Sequence, residues 1–267
     1  MNRDAVRAVL GRDLGAVRRS KAVMLPMLLV PTVLLVLLPL SIGLAANSRT
    51  PFDVGPFVKL LPHSLAKPVL TYPQNQRLVV LVLGYLVAPL FLIVPLMVSA
   101  VLAADAFAGE KERKTLETLL HLPVETGDLY FAKLMAGFLP SVVISWIGFV
   151  IFVAISDAVA WPVMHRAFLP TTLWMIVIIW VAPGVSALGL GIMIRVSARA
   201  ANTQEAQQLG GAVVLPLIIL AVGQTTGLLL AGPLVSIGVG AVIWVIAIFL
   251  NVRGMQTFTR NRMASRL

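Results

Sequence analysis

The feature that most limits what this chain can fold into is the way its charges are rationed along its length. Residues 22–48, 78–104, 134–156, 167–194 and 206–252 contain no Asp, Glu, Lys or Arg. An α-helix rises about 1.5 Å per residue, so roughly 20 apolar residues cross a hydrocarbon core of about 30 Å. The first four runs each fit one crossing. The fifth, 47 residues long, fits two, with "AGP" at 231–233 as the turn, since Gly and Pro break helices. The pattern predicts an all-α membrane protein with six transmembrane helices, at about 22–45, 78–104, 134–156, 168–194, 207–230 and 233–252. The overall charged fraction of 12% fits this, because a soluble domain carries about a quarter, and the mean hydropathy is +0.95.

The first run could be mistaken for a signal peptide, and "GLAA" at 43–46 resembles a cleavage site. Its apolar stretch is about twice the length of a signal h-region, so it reads as a span. With no cysteine, the chain has no disulfide framework, no thiolate metal site and no thiol nucleophile.

The net charge of +10 matters through its placement. Six spans put both termini on one side, together with 105–133 and 195–205. That side then holds 16 of the 21 Lys and Arg residues, leaving 5 in segments 46–77 and 157–166. The positive-inside rule predicts a multi-pass protein of the cell (inner or plasma) membrane with both termini in the cytoplasm. The basic excess reads as topology and attraction to anionic membrane lipids, not as a nucleic-acid surface.

Residues 1–21 place Val6, Val9, Leu10, Leu14 and Val17 at helical spacing among arginines, as in an amphipathic helix lying along the inner leaflet. A plain charged flank is the alternative. The remainder, 22–267, forms the transmembrane domain. Pro26, Pro31 and Pro39 predict a kinked first span packed against protein. Residues 46–77, with five prolines, are too short for a substantial domain and predict a small external cap or short helices. Ala187 and Gly191 form a small-xxx-small pair that lets helices approach closely. "GQTTG" at 223–227 is the most polar cluster within a span. Facing lipid would be costly for it, so it should face protein, a cavity or the outer interface, or form a turn there.

Absences narrow the function. No G-x-x-x-x-G-K-[ST] phosphate loop and no H-E-x-x-H is present. His63, His121 and His165 are widely separated loop residues, and Met24 and Met27 suit core packing better than a soft metal. No Asp, Glu, Lys or Arg lies near a span centre, where each would cost about 2.5–3.5 kcal/mol. A proton- or ion-driven carrier needs such a residue, so the energy source is expected outside this chain.

One stretch breaks the pattern of scarcity. In "AFAGEKERKTLETLLHLP", residues 106–123, six of the eight residues from Glu110 to Glu117 are charged. Glu110 reaches Lys114 at i,i+4 and Lys114 reaches Glu117 at i,i+3, each pair contributing only about 0.2–0.5 kcal/mol. Leu116, Leu119 and Leu120 line one face, and Pro123 ends the helix. The spacing predicts a short amphipathic helix over about 109–122 at the cytoplasmic mouth of the second and third spans. A plain loop needs no leucine stripe, and a topogenic flank needs no glutamates. Interleaved charges beside an apolar face suit docking to a partner.

"GEKERKTLETLLHLPV" followed by "GDLYFAKL" resembles the signature of ABC-2-type transporter permeases, the membrane subunits of a large class of ABC exporters, also called type V. The Glu110-x-Glu112 pair, Thr115-Leu116-Glu117, Pro123 and Lys133 match the pattern. A glycine is frequent in the family where this chain has Lys114. The six spans, the N-terminal helix and the short cytoplasmic loop at 196–209 resemble the family too, so the likeness covers nearly the whole chain. It lacks the large external domain that sodium-extruding relatives often carry between the first two spans.

The resemblance implies a coupling helix at 109–122, with Glu110, Glu112, Arg113, Lys114, Thr115, Leu116, Glu117, Leu119 and Leu120 docking on a separate ABC ATPase subunit. ATP and Mg would be bound by that partner, with no cofactor in this chain and no catalytic role for it. It also implies pairing with a second permease copy or a related permease, and a substrate pathway lined mainly by spans one, two and five. Its candidates here are Ser41, Asn47, Ser99, Gln224, Thr225 and Thr226. The implied function is ATP-driven export of an amphipathic, lipid-like, drug or peptide substrate. Two alternatives remain: an ABC-2-fold subunit doing mechanical or regulatory work without net transport, and an intramembrane enzyme. The latter needs clustered acid, base or metal residues at membrane depth, which the sequence does not offer.

Overall fold

Every regular element in the computed structural model is helical, with no strand among the described residues. Those are 11, 15, 25, 28–29, 31–47, 54–55, 58, 63–105, 126–197, 200, 202, 204–206, 208–209 and 232–257. The elements are α1 (Val33–Ala46), α2 (His63–Leu70), α3 (Gln74–Ala104), α4 (Thr126–Met164), α5 (Thr172–Ser197) and α6 (Pro233–Thr257). Four of these, α3 to α6, are long and apolar enough to cross a membrane. α1 is the shorter described part of the first apolar run. All but residues 11 and 15 of the expected interface helix 1–21, all but 232–233 of the 210–233 region and the segment 106–125 fall outside the described residues.

The helices divide into inner and outer. Of their most apolar windows, α3 and α5 bury 72% and 67%, whereas α4 and α6 bury 22% and 17%. α5 packs against α3, α4 and α6, and α1 packs against α4 and the start of α3. On α1, Val33, Leu37, Leu40 and Leu44 recur at helical spacing and stand exposed, as do Val143, Trp146, Ile147 and Val150 on α4 and Val242, Val245, Ile246 and Phe249 on α6. Exposed apolar faces of this breadth belong in lipid, where helices satisfy their own backbone groups. α4 outruns the apolar stretch 134–156: its 39 residues extend for about 58 Å.

At the centre, Trp174 of α5 is fully buried against Phe91, Phe149 and Phe152, at ring-centroid distances of 5.5, 5.4 and 4.8 Å. Such aromatic pairs add about 0.5–1.5 kcal/mol each beyond the area they bury. The cluster locks three helices, α3, α4 and α5, at one depth.

Three π-helical stretches lie wholly within the described residues, and each of these stands just upstream of a proline. Val33–Leu37 precedes Pro39, Val80–Leu86 precedes Pro89, and Val177–Val181 precedes Pro183. A proline has no N–H and its ring clashes with the carbonyl four residues back. Those carbonyls belong to Leu35, Tyr85 and Ile179, all inside the π stretches. Shifting to i→i+5 pairing widens the turn and relieves the clash. Tryptophans from neighbouring helices then donate to carbonyls on the α3 and α5 stretches. Trp174 Nε1 reaches the Leu83 oxygen at 3.0 Å, Trp146 Nε1 that of Ile178 at 3.2 Å, and Trp244 Nε1 that of Trp180 at 3.0 Å. Of the prolines expected to kink the first span, Pro39 has such a stretch before it; Pro89 and Pro183 in α3 and α5 lie outside that expectation, and α4 passes Pro140 and Pro162 without a π stretch.

Opposite the 105/126 end, the turn between α4 and α5 is held by Asp157. Its Oδ1 accepts from the backbone N–H of Phe168 at 3.1 Å and of Leu169 at 3.2 Å. Thr171 caps α5, accepting from Trp174 N at 3.5 Å.

Candidate functional site

The charged segment leaves the helical body at Asp105 and returns at Thr126, so the site to consider is the set of helix ends on which it hangs. Glu110, Glu112, Arg113, Lys114, Thr115, Leu116, Glu117, Leu119 and Leu120 lie outside the described residues, as do Gln224, Thr225 and Thr226. Their anchoring is visible. On the outgoing side, the last α3 carbonyl, that of Ala104, accepts from Ser197 Oγ at 2.8 Å, tying α3 to the end of α5. On the return side, α4 opens with Asp128 in its first turn, where a carboxylate complements the helix dipole. Lys133, one of the residues that carried the family resemblance, is 2% exposed. Asp128 and Lys133 each make a polar or electrostatic interaction, as a buried charge requires.

Deeper in the same end, three helices meet through polar groups. The Arg195 guanidinium donates to the Gly191 carbonyl of its own helix through Nη1 and to the Leu250 carbonyl of α6 through Nη2. Asn251 Nδ2 donates to the Ala187 carbonyl at 2.9 Å and to that of Ala247 at 2.8 Å. A Cβ on Gly191 would lie 3.0 Å from Asn251 Nδ2, so the glycine makes room for the amide. The Ala187–Gly191 pair therefore does pack against a neighbouring helix, α6. The buried Tyr130 of α4 closes the group: a Cβ on Gly254 would collide with its hydroxyl and sit 3.4 Å from Arg195 Nη2.

The described pathway candidates are not brought together. Ser41 is exposed on α1 and donates to the Leu38 carbonyl at 2.8 Å. Asn47 ends α1 and clasps α4, its Nδ2 reaching the Gly43 carbonyl at 2.8 Å and that of Val159 at 3.1 Å. Ser99 is fully buried between α3 and α5, where its Oγ donates to Leu96 at 2.9 Å and faces Gly189. Among the described residues no three His, Asp or Glu side chains gather where they could hold a metal ion.

The residues that knit this end, Tyr130, Arg195, Ser197, Asn251 and Gly254, were not singled out from the sequence. A signal did exist for two of them. Arg195 is the first charge after a 28-residue charge-free run, and Asn251 is an amide one residue from the end of another.

A comparison with curated proteins found no match. A family model described as "ABC-2 family transporter protein" matches residues 8–261, taking in every helix described above and the charged segment between them. Members of that family are membrane subunits of ABC transporters, and the broad apolar faces of α4 and α6 fit a chain that crosses the bilayer several times. On this match over nearly its whole length, the chain belongs to the ABC-2 family of transporter proteins, as a multi-pass permease.

Proposed function

We propose that the chain is the transmembrane permease subunit of an ATP-driven exporter, working with a separate nucleotide-binding subunit and a second permease copy or relative. The observation that carries this reading is the family match over 8–261, which includes the charged, leucine-faced segment 110–122 suspended between Asp105 and Thr126. In this reading that segment is the coupling helix, and six spans cross the cell membrane, with 207–230 as the fifth and both termini in the cytoplasm. ATP and Mg are held by the partner subunit. Closure of the partner on ATP pushes the segment, and the push tilts the helices on either side of it. The leucines Leu116, Leu119 and Leu120 supply the apolar contact, while Glu110, Glu112, Arg113, Lys114 and Glu117 set register. The candidate pathway residues Ser41, Asn47, Ser99, Gln224, Thr225 and Thr226 carry no charge, which suits an amphipathic, lipid-like, drug or peptide cargo.

Purification of the assembled complex from native membranes tests the first half: a nucleotide-binding subunit should accompany the chain. A complex without one overturns the proposal. Inverted vesicles holding the complex should then accumulate a fluorescent phospholipid analogue or a hydrophobic cationic dye on addition of Mg-ATP. A complex that hydrolyses ATP but moves neither probe, nor hydrophobic peptides, supports mechanical or regulatory work instead of export.

A further inference from the structure

The polar group at the 105/126 end has a property beyond helix packing: both ends of the charged segment run into it. The outgoing end is tied through Ala104 to Ser197, at 2.8 Å, two residues beyond Arg195. The returning end delivers Tyr130, five residues into α4, onto Gly254 of α6 beside Arg195 Nη2. Arg195 itself bridges α5 to α6 through the Leu250 carbonyl, and Asn251 repeats the bridge one turn deeper through Ala187. Directed hydrogen bonds and a glycine with no space above it do not tolerate sliding, so helices joined this way move together or break the joint.

We propose that Tyr130, Arg195 and Gly254, with Ser197 and Asn251, are positioning residues that pass a displacement of segment 106–125 to α5 and α6. This rests on the ATP-coupled reading above and adds to it a route to the last helix, which neither end of the segment adjoins in sequence. Tyr130 is the contact from the returning end, Ser197 from the outgoing end, and Arg195 joins both to α6. The two glycines are required for closeness: a Cβ on Gly254 meets the Tyr130 hydroxyl, and one on Gly191 meets the Asn251 amide.

The chain's lack of cysteine makes the test direct. Single cysteines replace Thr115, in the charged segment, or Gln256, exposed near the end of α6. In inverted vesicles holding the whole complex, the labelling rate by a membrane-impermeant maleimide is compared in Mg-ADP and in Mg-ATP with vanadate. Both positions should respond, by roughly 2- to 30-fold, the range over which coupled sites influence one another. Adding Gly254→Ala or Tyr130→Phe should leave the response at position 115 and abolish that at 256. A lesion that merely loosened the fold would lower both. Should Gly254→Ala not assemble, Tyr130→Phe and Arg195→Gln carry the same expectation without adding bulk. A response at 256 that survives these substitutions, or is absent from the parent while 115 responds, overturns the relay and leaves the ATP-coupled reading intact. Silence at both positions overturns the ATP-coupled reading and the relay with it.

Discussion

Gly43 shows how one missing side chain sets a helix contact. A Cβ there would run into Val159 Cγ1, and one turn on, Asn47 donates to the Val159 carbonyl at 3.1 Å. α1 thus meets α4 with the bare Gly43 backbone against the Val159 side chain, and an amide seals the contact. Gly43→Ala should force the pair apart and lower stability by about 1–3 kcal/mol, the cost of an added methyl in a filled contact. Val159→Ala removes the colliding methyls, so the double substitution should recover part of the loss, read as the detergent-solubilised melting temperature. Additive losses would show that the two positions do not meet. In the charged segment, Glu110→Ala with Glu112→Ala should weaken ATPase docking, with insertion and expression unchanged. Leu116→Asp should be worse, by about tenfold or more in apparent affinity for the ATPase subunit, because it buries an unpaired charge in an apolar contact. Unaltered complex assembly in Leu116→Asp would remove the leucine face from the docking surface.

The helices themselves explain which features could be read in advance. Charge-free runs announced α3, α4, α5 and α6, since 18 or more apolar residues have few alternatives. Their ends were less legible: α4 starts at Thr126 rather than 134, because helix propensity continues through polar residues that hydropathy excludes. The prolines of the first span predicted a kink there, but not that α1, α3 and α5 would carry π stretches or that indoles would complete those of α3 and α5, because a tryptophan's acceptor lies on another helix and has no sequence spacing. Ser99 was legible as polar, yet its burial against Gly189 depends on the α3–α5 contact alone. A consequence follows for Pro183. In an ordinary helix, replacing an interior proline with alanine recovers about 3 kcal/mol. Here the recovered N–H would draw Val177–Val181 back to α pairing and turn the Ile178 and Trp180 carbonyls away from Trp146 and Trp244. Losing those two bonds costs about 1–3 kcal/mol each where no water can replace them. Pro183→Ala should therefore give no rise in melting temperature. A rise of several degrees would mean that the π stretch does nothing for the packing of α5.

At the scale of the molecule, the open quantity is the number of crossings, because it decides which faces share a side. Residues 206–252 are long enough for two helices at about 1.5 Å per residue, and α6 accounts for the part from Pro233 onward. If 207–230 also crosses, Asp105 and the start of α4 lie on the same side as the chain's C-terminus, and that side collects 16 of 21 basic residues. If it does not, the C-terminal arginines fall outside, and the positive-inside bias is weakened. The packing favours the first arrangement. Tyr130 at the start of α4 meets Gly254 near the end of α6, so the end of α6 lies at the same level as the charged segment. Single cysteines in the naturally cysteine-free chain test this in intact cells. Cysteines replacing Ser48, His63 and His165 should react with an impermeant maleimide from outside, whereas those replacing Lys111, Arg199 and Ser265 should react only after permeabilisation. Labelling of the Ser265 position from outside, with the Lys111 position protected, would place the C-terminus on the other face and reduce the count to five.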